Sequence, residues 1–154
     1  MRGKTEIGEH QQLVLKTYTK MVRATESVTV KMHRHLAQYK LTISQFGVLE
    51  ALYHLGPLCQ RDIGRKILKT SGNITLVIDN LERRELVVRE KDMSDRRYIT
   101  VKLTDKGESL ISKIFPTHAK IASKVFSVFN SQELEGLGRT LKILGKSDGK
   151  TNNN

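Results

Sequence analysis

The segment from Thr42 to Thr104 constrains the fold most, because four periodic patterns follow one another in it. Three have the helical spacing of apolar residues, and the fourth alternates apolar and polar residues as a half-buried strand does. Their sequences are "LTISQFGVLEALYHLGP", "CQRDIGRKIL", "GNITLVIDNLERRE" and "RRYITVKLT". About four residues, "KTSG", separate the second helix from the third, and a charged turn precedes the strand. The order predicts a helix-turn-helix followed by a β-hairpin.

Local signals define the ends of these helices. Thr42 and Gln45 have the spacing of a capping box, and Gly56-Pro57 ends the helix that follows. Ser71 is placed to cap the third helix, and Thr104 to cap a later one.

Long helical patterns flank this segment on both sides. One runs over residues 11–39, one over 105–129 with Pro116 as an internal kink, and a last one begins near Asn130-Ser131. The first stripe of apolar residues outruns the core of a small domain, so part of it is expected to pack on a second subunit; an ordinary core helix is the alternative. The fold class is therefore predicted to be mainly α with a small β-wing: a winged helix-turn-helix lobe over 41–104, and dimerisation helices over 10–40 plus 105–146. The polar tail 147–154 is expected to be disordered.

Charge favours a polyanionic partner. Lys and Arg number 27 against 16 Asp and Glu, a formal net charge of +11. Such a surplus suits nucleic acid or an anionic membrane, and a solubilising surface explains the charge alone equally well. No apolar run approaches the roughly 20 residues that span a bilayer, and the N-terminus lacks a signal-peptide pattern. The single cysteine suits a reducing cytoplasm, which is the expected location.

The turn before the third helix carries residue types that read DNA bases. In a helix-turn-helix the second helix enters the major groove and its N-terminal residues meet base edges. Ser and Thr bond several bases, Asn pairs with adenine, and an apolar side chain touches the thymine methyl group. Ordinary helix capping is the competing explanation. The candidate positions are Thr70, Ser71, Asn73, Thr75 and Leu76.

The tip of the predicted hairpin carries two adjacent arginines, Arg96 and Arg97, after Asp95. A protruding ribbon with arginine at its tip suits a narrow, A·T-rich minor groove, where negative potential is concentrated. Asp95 is close enough in sequence to hold a guanidinium in a fixed position. A solvated turn is the alternative, but the preceding helices favour DNA.

These segments together resemble the MarR family of winged-helix transcription regulators. The most specific match is "DMSDRRYITVKLTDKG", which is similar to the wing signature of that family at Asp95, Arg97, Leu103, Thr104 and Gly107. The resemblance implies a homodimer, held by the first and last two helices, on a palindromic double-stranded operator. It implies that Arg97 enters the minor groove, oriented by Asp95, and that Asn73 and Thr75 lie on the recognition helix. It further implies a regulator, most often a repressor, that a small-molecule effector or an oxidant releases; the effector itself cannot be read from the sequence.

Two positions depart from the family pattern. Cys59 stands where the family commonly has Ser or Thr as a helix cap, so that helix start is expected to be weaker; a thiol sensor is the alternative role. Glu85 stands where a glycine is usual at the end of the recognition helix.

Other classes of function find less support. The sequence has no HExxH, GxGxxG or P-loop motif, so an enzyme is not expected, and no cofactor is predicted. Two alternatives stay open: a non-specific architectural DNA binder, and a metal-sensing regulator of the same fold that uses His54, His118 and nearby carboxylates. His33 and His35 are expected to point in different directions from one helix.

Overall fold

The computed structural model describes residues 7–67, 71–95 and 97–146, and only the backbone of residues 71 and 72. It is mainly helical with one small sheet, which confirms the predicted fold class. The elements in chain order are α1 (Glu9–His33), a 3-10 turn (Arg34–Tyr39), α2 (Ile43–Leu55), β1 (Leu58–Cys59), α3 (Gln60–Lys66), α4 (Ser71–Arg83), β2 (Val87–Lys91), β3 (Ile99–Leu103), α5 (Asp105–Val125) and α6 (Ser131–Lys146).

The first helix is shorter than predicted. The expected helix over 11–39 gives way after His33 to a 3-10 turn, which Lys40 closes in the left-handed conformation at φ 52°. The tighter turn places Leu36 in the core at 1% exposure, and Lys40 then reverses the chain into α2. Burial of Leu36 thus overrides the helical periodicity that continues through this stretch.

The other helices follow their sequence signals closely. Thr42 and Gln45 form the predicted capping box, with hydrogen bonds of 3.0 and 3.1 Å. Pro116 lies inside α5, as expected, but α5 ends at Val125 rather than at residue 129. The turn that follows is tied by backbone hydrogen bonds, and Asn130 with Glu133 forms a second capping box that starts α6.

The sheet has three strands in the order β1-β3-β2, all antiparallel. The sequence predicts the β2–β3 hairpin but not β1, where Leu58 and Cys59 pair with Val101 and Thr100. Two residues are too few to show a strand periodicity. This third strand joins the base of the hairpin to the start of α3, so the wing is fixed to the helix-turn-helix.

The core lies where α2, α4, the sheet and the first half of α5 meet. Its members are Leu36, Leu41, Phe46, Val48, Leu49, Leu52, Ile63, Ile74, Ile78, Leu81, Leu86, Val87, Val101, Ile111 and Ile114. One core therefore supports both the recognition helix and the wing.

The Leu-Thr-x-x-Gly sequence at the start of α5 has a packing reason. The Thr104 hydroxyl accepts a hydrogen bond from the Gly107 N–H at 3.0 Å and donates one to the Glu85 carbonyl at 2.6 Å. A Cβ atom at Gly107 would lie 1.9 Å from the Leu86 carbonyl oxygen. Only glycine lets the first turn of α5 approach the chain that enters β2 so closely.

The end of α4 is a Schellman motif built without glycine. The N–H of Leu86 donates to the Leu81 carbonyl and that of Glu85 to the Glu82 carbonyl, at 3.0 and 2.8 Å. Glu85 has φ 58°, the left-handed conformation that usually selects glycine. Its carboxylate pairs with Lys106 at 3.1 Å on the surface.

The outer helices expose much of their apolar surface. No residue of α1 or of α6, both of which the structure describes throughout, is buried. The predicted inner positions Val14 and Tyr18 are 51% and 59% exposed. Among the helices in the described ranges, none is long and apolar enough to cross a membrane.

Candidate nucleic-acid interface

The recognition helix α4 divides its residues between a buried and an open face. Ile74, Ile78 and Leu81 are at most 1% exposed and anchor the helix to the core. On another face Asn73 is exposed, and Leu76 is 57% exposed although it is apolar. An open amide and an open apolar side chain at the start of the helix offer base edges both kinds of contact that the major groove requires.

A third face of α4 carries polar residues towards the wing. Asp79 and Glu82 hold the guanidinium of Arg89 in β2, at 2.6 and 2.7 Å. Arg89 also donates from Nε to the side-chain oxygen of Gln60 at 3.2 Å, and Gln60 donates to the Thr75 hydroxyl at 2.8 Å. The candidate Thr75 is therefore exposed but held by Gln60 of α3.

The other four residues of this network are not among the sequence-predicted site residues. A usable signal exists in the sequence, since Asp79 and Glu82 are two acidic residues on one side of a helix proposed to meet DNA. Acidic residues there require a basic partner, and Arg89 is the one that the fold supplies.

The tip of the wing holds Arg97 in one orientation. Its Nε and Nη2 atoms donate to the two carboxylate oxygens of Asp95 at 3.0 and 2.8 Å, the contact expected from the sequence. The Arg97 hydrogen bond holds the pKa of Asp95 below its usual range, and Asp95 raises the pKa of Arg97. The Arg97 side chain is nevertheless 89% exposed, so the guanidinium is oriented and still open to a partner.

The turn behind Arg97 is ordered by Asp92. Its carboxylate accepts hydrogen bonds from the N–H groups of Ser94 and Asp95 at 2.7 and 3.1 Å. The hydrogen bond from the Ser94 hydroxyl is the main reason that the pKa of Asp92 lies below its usual value. Two backbone hydrogen bonds of 3.0 Å, through Tyr98, close the loop. The tip is thus organised before it meets any partner.

Three of the predicted site residues are described incompletely or not at all. Thr70 and Arg96 lie outside the described residues, as does the predicted tail 147–154. Ser71, the predicted cap of α4, is the first residue of that helix, and only its backbone is described.

Cys59 is half-buried at the junction of β1 and α3. Within the described chain no side-chain hydrogen bond caps α3 at Cys59, which agrees with the weaker helix start expected there. The thiol lines a recess of about 250 Å³ together with Arg61, Arg97 and Tyr98.

The histidines are not arranged as expected for a metal site. His118 lies against Phe46, His35 and His33, with ring centroids 4.5, 5.2 and 5.6 Å apart. His54 packs on Phe115 instead. Over the described ranges no group of three or more His, Cys, Asp or Glu residues can hold a metal ion.

His33 and His35 do not point apart, contrary to expectation. The helix ends at His33, and the 3-10 turn brings His35 round to the same rings, Phe46 and His118. Burial, and then the charges of His35 and His33, lower the pKa of His118 to about 4. Its Nδ1 atom has no hydrogen-bond partner among the described residues.

A cleft of about 620 Å³ opens beside this cluster, between the end of α1 and helices α2 and α3. Phe46, Leu55 and Ile67 give it an apolar wall, and it also has charged groups from Glu50 and Lys66. It lies where the long helices join the helix-turn-helix.

A helix-turn-helix whose core also carries a β-hairpin with an oriented, exposed arginine defines a winged helix-turn-helix protein. The family model for "MarR family" matches residues 41–99. Over 131 residues the chain is 39% identical to the HTH-type transcriptional regulator MhqR of Bacillus subtilis, covering 85% of this chain and 90% of that protein. It is 37% identical to the uncharacterized HTH-type transcriptional regulator YkoM of the same organism, over 89% of both chains.

A solved structure of Bordetella bronchiseptica BpsR, whose DNA binding is regulated by 6-hydroxynicotinic acid, superposes with a TM-score of 0.75. The two chains are 25% identical over 84% of this chain and 98% of BpsR. The protein belongs to the MarR family, and it is a DNA-binding transcriptional regulator of that family.

Proposed function

We propose that the protein is a cytoplasmic, homodimeric repressor that binds a palindromic double-stranded operator and is released by a small ligand or an oxidant. The observation that carries the proposal is the pairing, on one core, of the open start of α4 with the oriented guanidinium of Arg97. One lobe can then contact a major groove and the adjacent minor groove at once.

Within the DNA-reading lobe, residues 41–104, the side chains divide between two grooves. Asn73 reads an adenine edge, Leu76 contacts a thymine methyl group, and Thr75 adds its methyl group beside them. Thr70 and Ser71 meet the operator at the start of the same helix. Arg97, held by Asp95, enters the minor groove, with Arg96 next to it.

A second copy of the chain covers the apolar faces of the flanking helices, residues 10–40 plus 105–146. Leu13 on α1 is 62% exposed and Leu144 on α6 is 54% exposed, and both line one apolar groove with Val14, Tyr18 and Met21. Removing apolar surface of this extent from water stabilises a dimer. The twofold axis of such a dimer gives an operator with half-sites one helical turn, ~10 bp, apart.

Release by a ligand is supported by the cleft of about 620 Å³ between the flanking helices and the lobe. The relative BpsR responds to 6-hydroxynicotinic acid, and Lys66 and His54 in the cleft suit a small aromatic acid. A ligand that binds one separation of the two lobes better than another shifts the protein towards it.

The +11 net charge also suits a non-specific architectural DNA binder, and one experiment separates the two functions. Duplexes are selected from a random library by the purified protein, and their affinity is compared with that of random duplex at the same salt concentration. A regulator binds the selected duplex at least ~10³-fold more tightly. A ratio near one contradicts the regulator and supports the architectural function.

Variants then test the wing. Arg97→Ala should weaken binding to the selected duplex and lower the salt slope by about one unit for each phosphate that the variant no longer binds, or relax the preference for A·T pairs. Arg139→Ala is the control, because Arg139 is also an exposed arginine beside a carboxylate, Glu135, but lies on α6. Equal affinities of the Arg97 variant and the parent would refute the role of the wing.

A further inference from the structure

The contacts of Arg89 link three elements of the DNA-reading lobe. Besides its ion pairs with Asp79 and Glu82, its backbone N–H donates to Glu82 at 3.0 Å and its Nη2 to the Thr75 carbonyl at 3.4 Å. With the bond to Gln60, one residue of β2 contacts both α4 and α3. We call Arg89, Gln60, Asp79 and Glu82 the Arg89 clamp.

The charges in the clamp do not serve phosphate binding. The Arg89 side chain is only 19% exposed and is compensated by two carboxylates, which are 41% and 39% exposed. Carboxylates on a helix that meets DNA repel phosphates, so this arrangement lowers the attraction of the surface for nucleic acid. A role in holding geometry accounts for the clamp, whereas a role in charge attraction does not.

The anchor points in α4 are spread along the helix. Thr75, Asp79 and Glu82 are spaced i, i+4 and i+7, about two turns or ~10 Å of one helix face. Planar guanidinium groups bond in fixed directions, so contacts at both ends of such a stripe resist rolling and tilting of α4 against β2.

We propose that the Arg89 clamp is a positioning device that fixes the angle between the recognition helix and the wing, and thereby the number of base pairs between the major-groove and minor-groove contacts of each half-site. This inference rests on the proposed function. Gln60 extends the clamp to Thr75 and sets the direction of its side chain.

The test measures spacing selectivity rather than affinity alone. Operators are selected from a random library with the full-length protein. A second set is then made in which the A·T step of each half-site is moved by one base pair. The parent should bind the moved operators about tenfold more weakly or worse, the low end of what one wrong base pair costs in such complexes.

Two variants loosen the clamp by different routes. Arg89→Lys keeps the charge but cannot reach Asp79, Glu82 and Gln60 together, and Gln60→Ala removes the link to Thr75 without touching an ion pair. Both should bind correct and moved operators within about threefold of each other, since a single specific spacing is no longer enforced. Glu90→Gln is the control, because it breaks the exposed Glu90–Lys102 pair between the same two strands and leaves α4 alone.

The outcomes are separable. Variants that weaken binding to all operators equally and keep the tenfold discrimination would overturn the clamp, since this is the result of a general loss of stability. A parent protein that selects no duplex at all would overturn the proposed function and the clamp with it.

Discussion

Replacing His118 by phenylalanine should make the protein more resistant to acid. His118 is 7% exposed and packs among Phe46, His35 and His33, and its pKa of about 4 lies well below the ordinary value of 6.5. Because the pKa is lower in the folded state, the unfolded chain binds more protons between pH 6.5 and 4. The stabilisation by neutral His118 is therefore complete above pH 6.5 and is lost as the pH falls towards 4.

The size of the effect follows from the two pKa values. At pH 5 the difference in protonation between folded and unfolded chain amounts to roughly 2 kcal/mol for this one group. His35 adds to the loss, since burial lowers its pKa as well. Phenylalanine has a similar volume and no proton to bind, so His118→Phe should remove most of the roughly 2 kcal/mol.

The assay is denaturant unfolding at pH 7.5 and pH 5.0, at one protein concentration because association alters apparent stability. His10→Phe, on the exposed start of α1, is the control and should retain the parent's loss of stability at pH 5. If His118→Phe and the parent lose the same free energy between the two pH values, the reasoning about the buried ring is refuted.

Three further substitutions test separate contacts. Gly107→Ala should destabilise the protein by about 2 kcal/mol or more, because its Cβ would meet the Leu86 carbonyl at 1.9 Å; Gly138→Ala on α6, where a Cβ meets nothing within 4 Å, should be neutral or slightly stabilising in the same unfolding assay. Glu85→Gly should raise the free energy of unfolding by about 0.5–1 kcal/mol, since φ 58° strains a residue with a Cβ, and an unchanged midpoint would contradict the strain. Asn73→Ala should change the preferred base at one position of each half-site in a selection experiment; a uniform loss of affinity would instead mark Asn73 as a phosphate or capping residue.

The parts of the fold that the sequence predicts are those with strong local signals. The capping box at Thr42, the end of α2 at Gly56 and the alternation before Thr104 are each encoded within a few residues. Strand β1 and the 3-10 turn are not, because a two-residue strand has no period and because Leu36 turns inward only when the core is present.

The candidate site divides in the same way. The Asp95–Arg97 contact is predictable because two residues of one tight turn form it. The Arg89 clamp is not, because it joins residues 29 apart in sequence, Gln60 and Arg89, through a fold in which neither has a diagnostic neighbour. The meeting of His33, His35 and His118 likewise depends on where α1 ends.

The most direct test of a twofold reader of DNA is hydroxyl-radical footprinting on the selected operator, combined with the mass of the complex. The proposed function predicts two protomers on each duplex and a symmetric footprint, with protected half-sites ~10 bp apart and minor-groove protection beside each. One protomer on the duplex, or protection without symmetry, would contradict it.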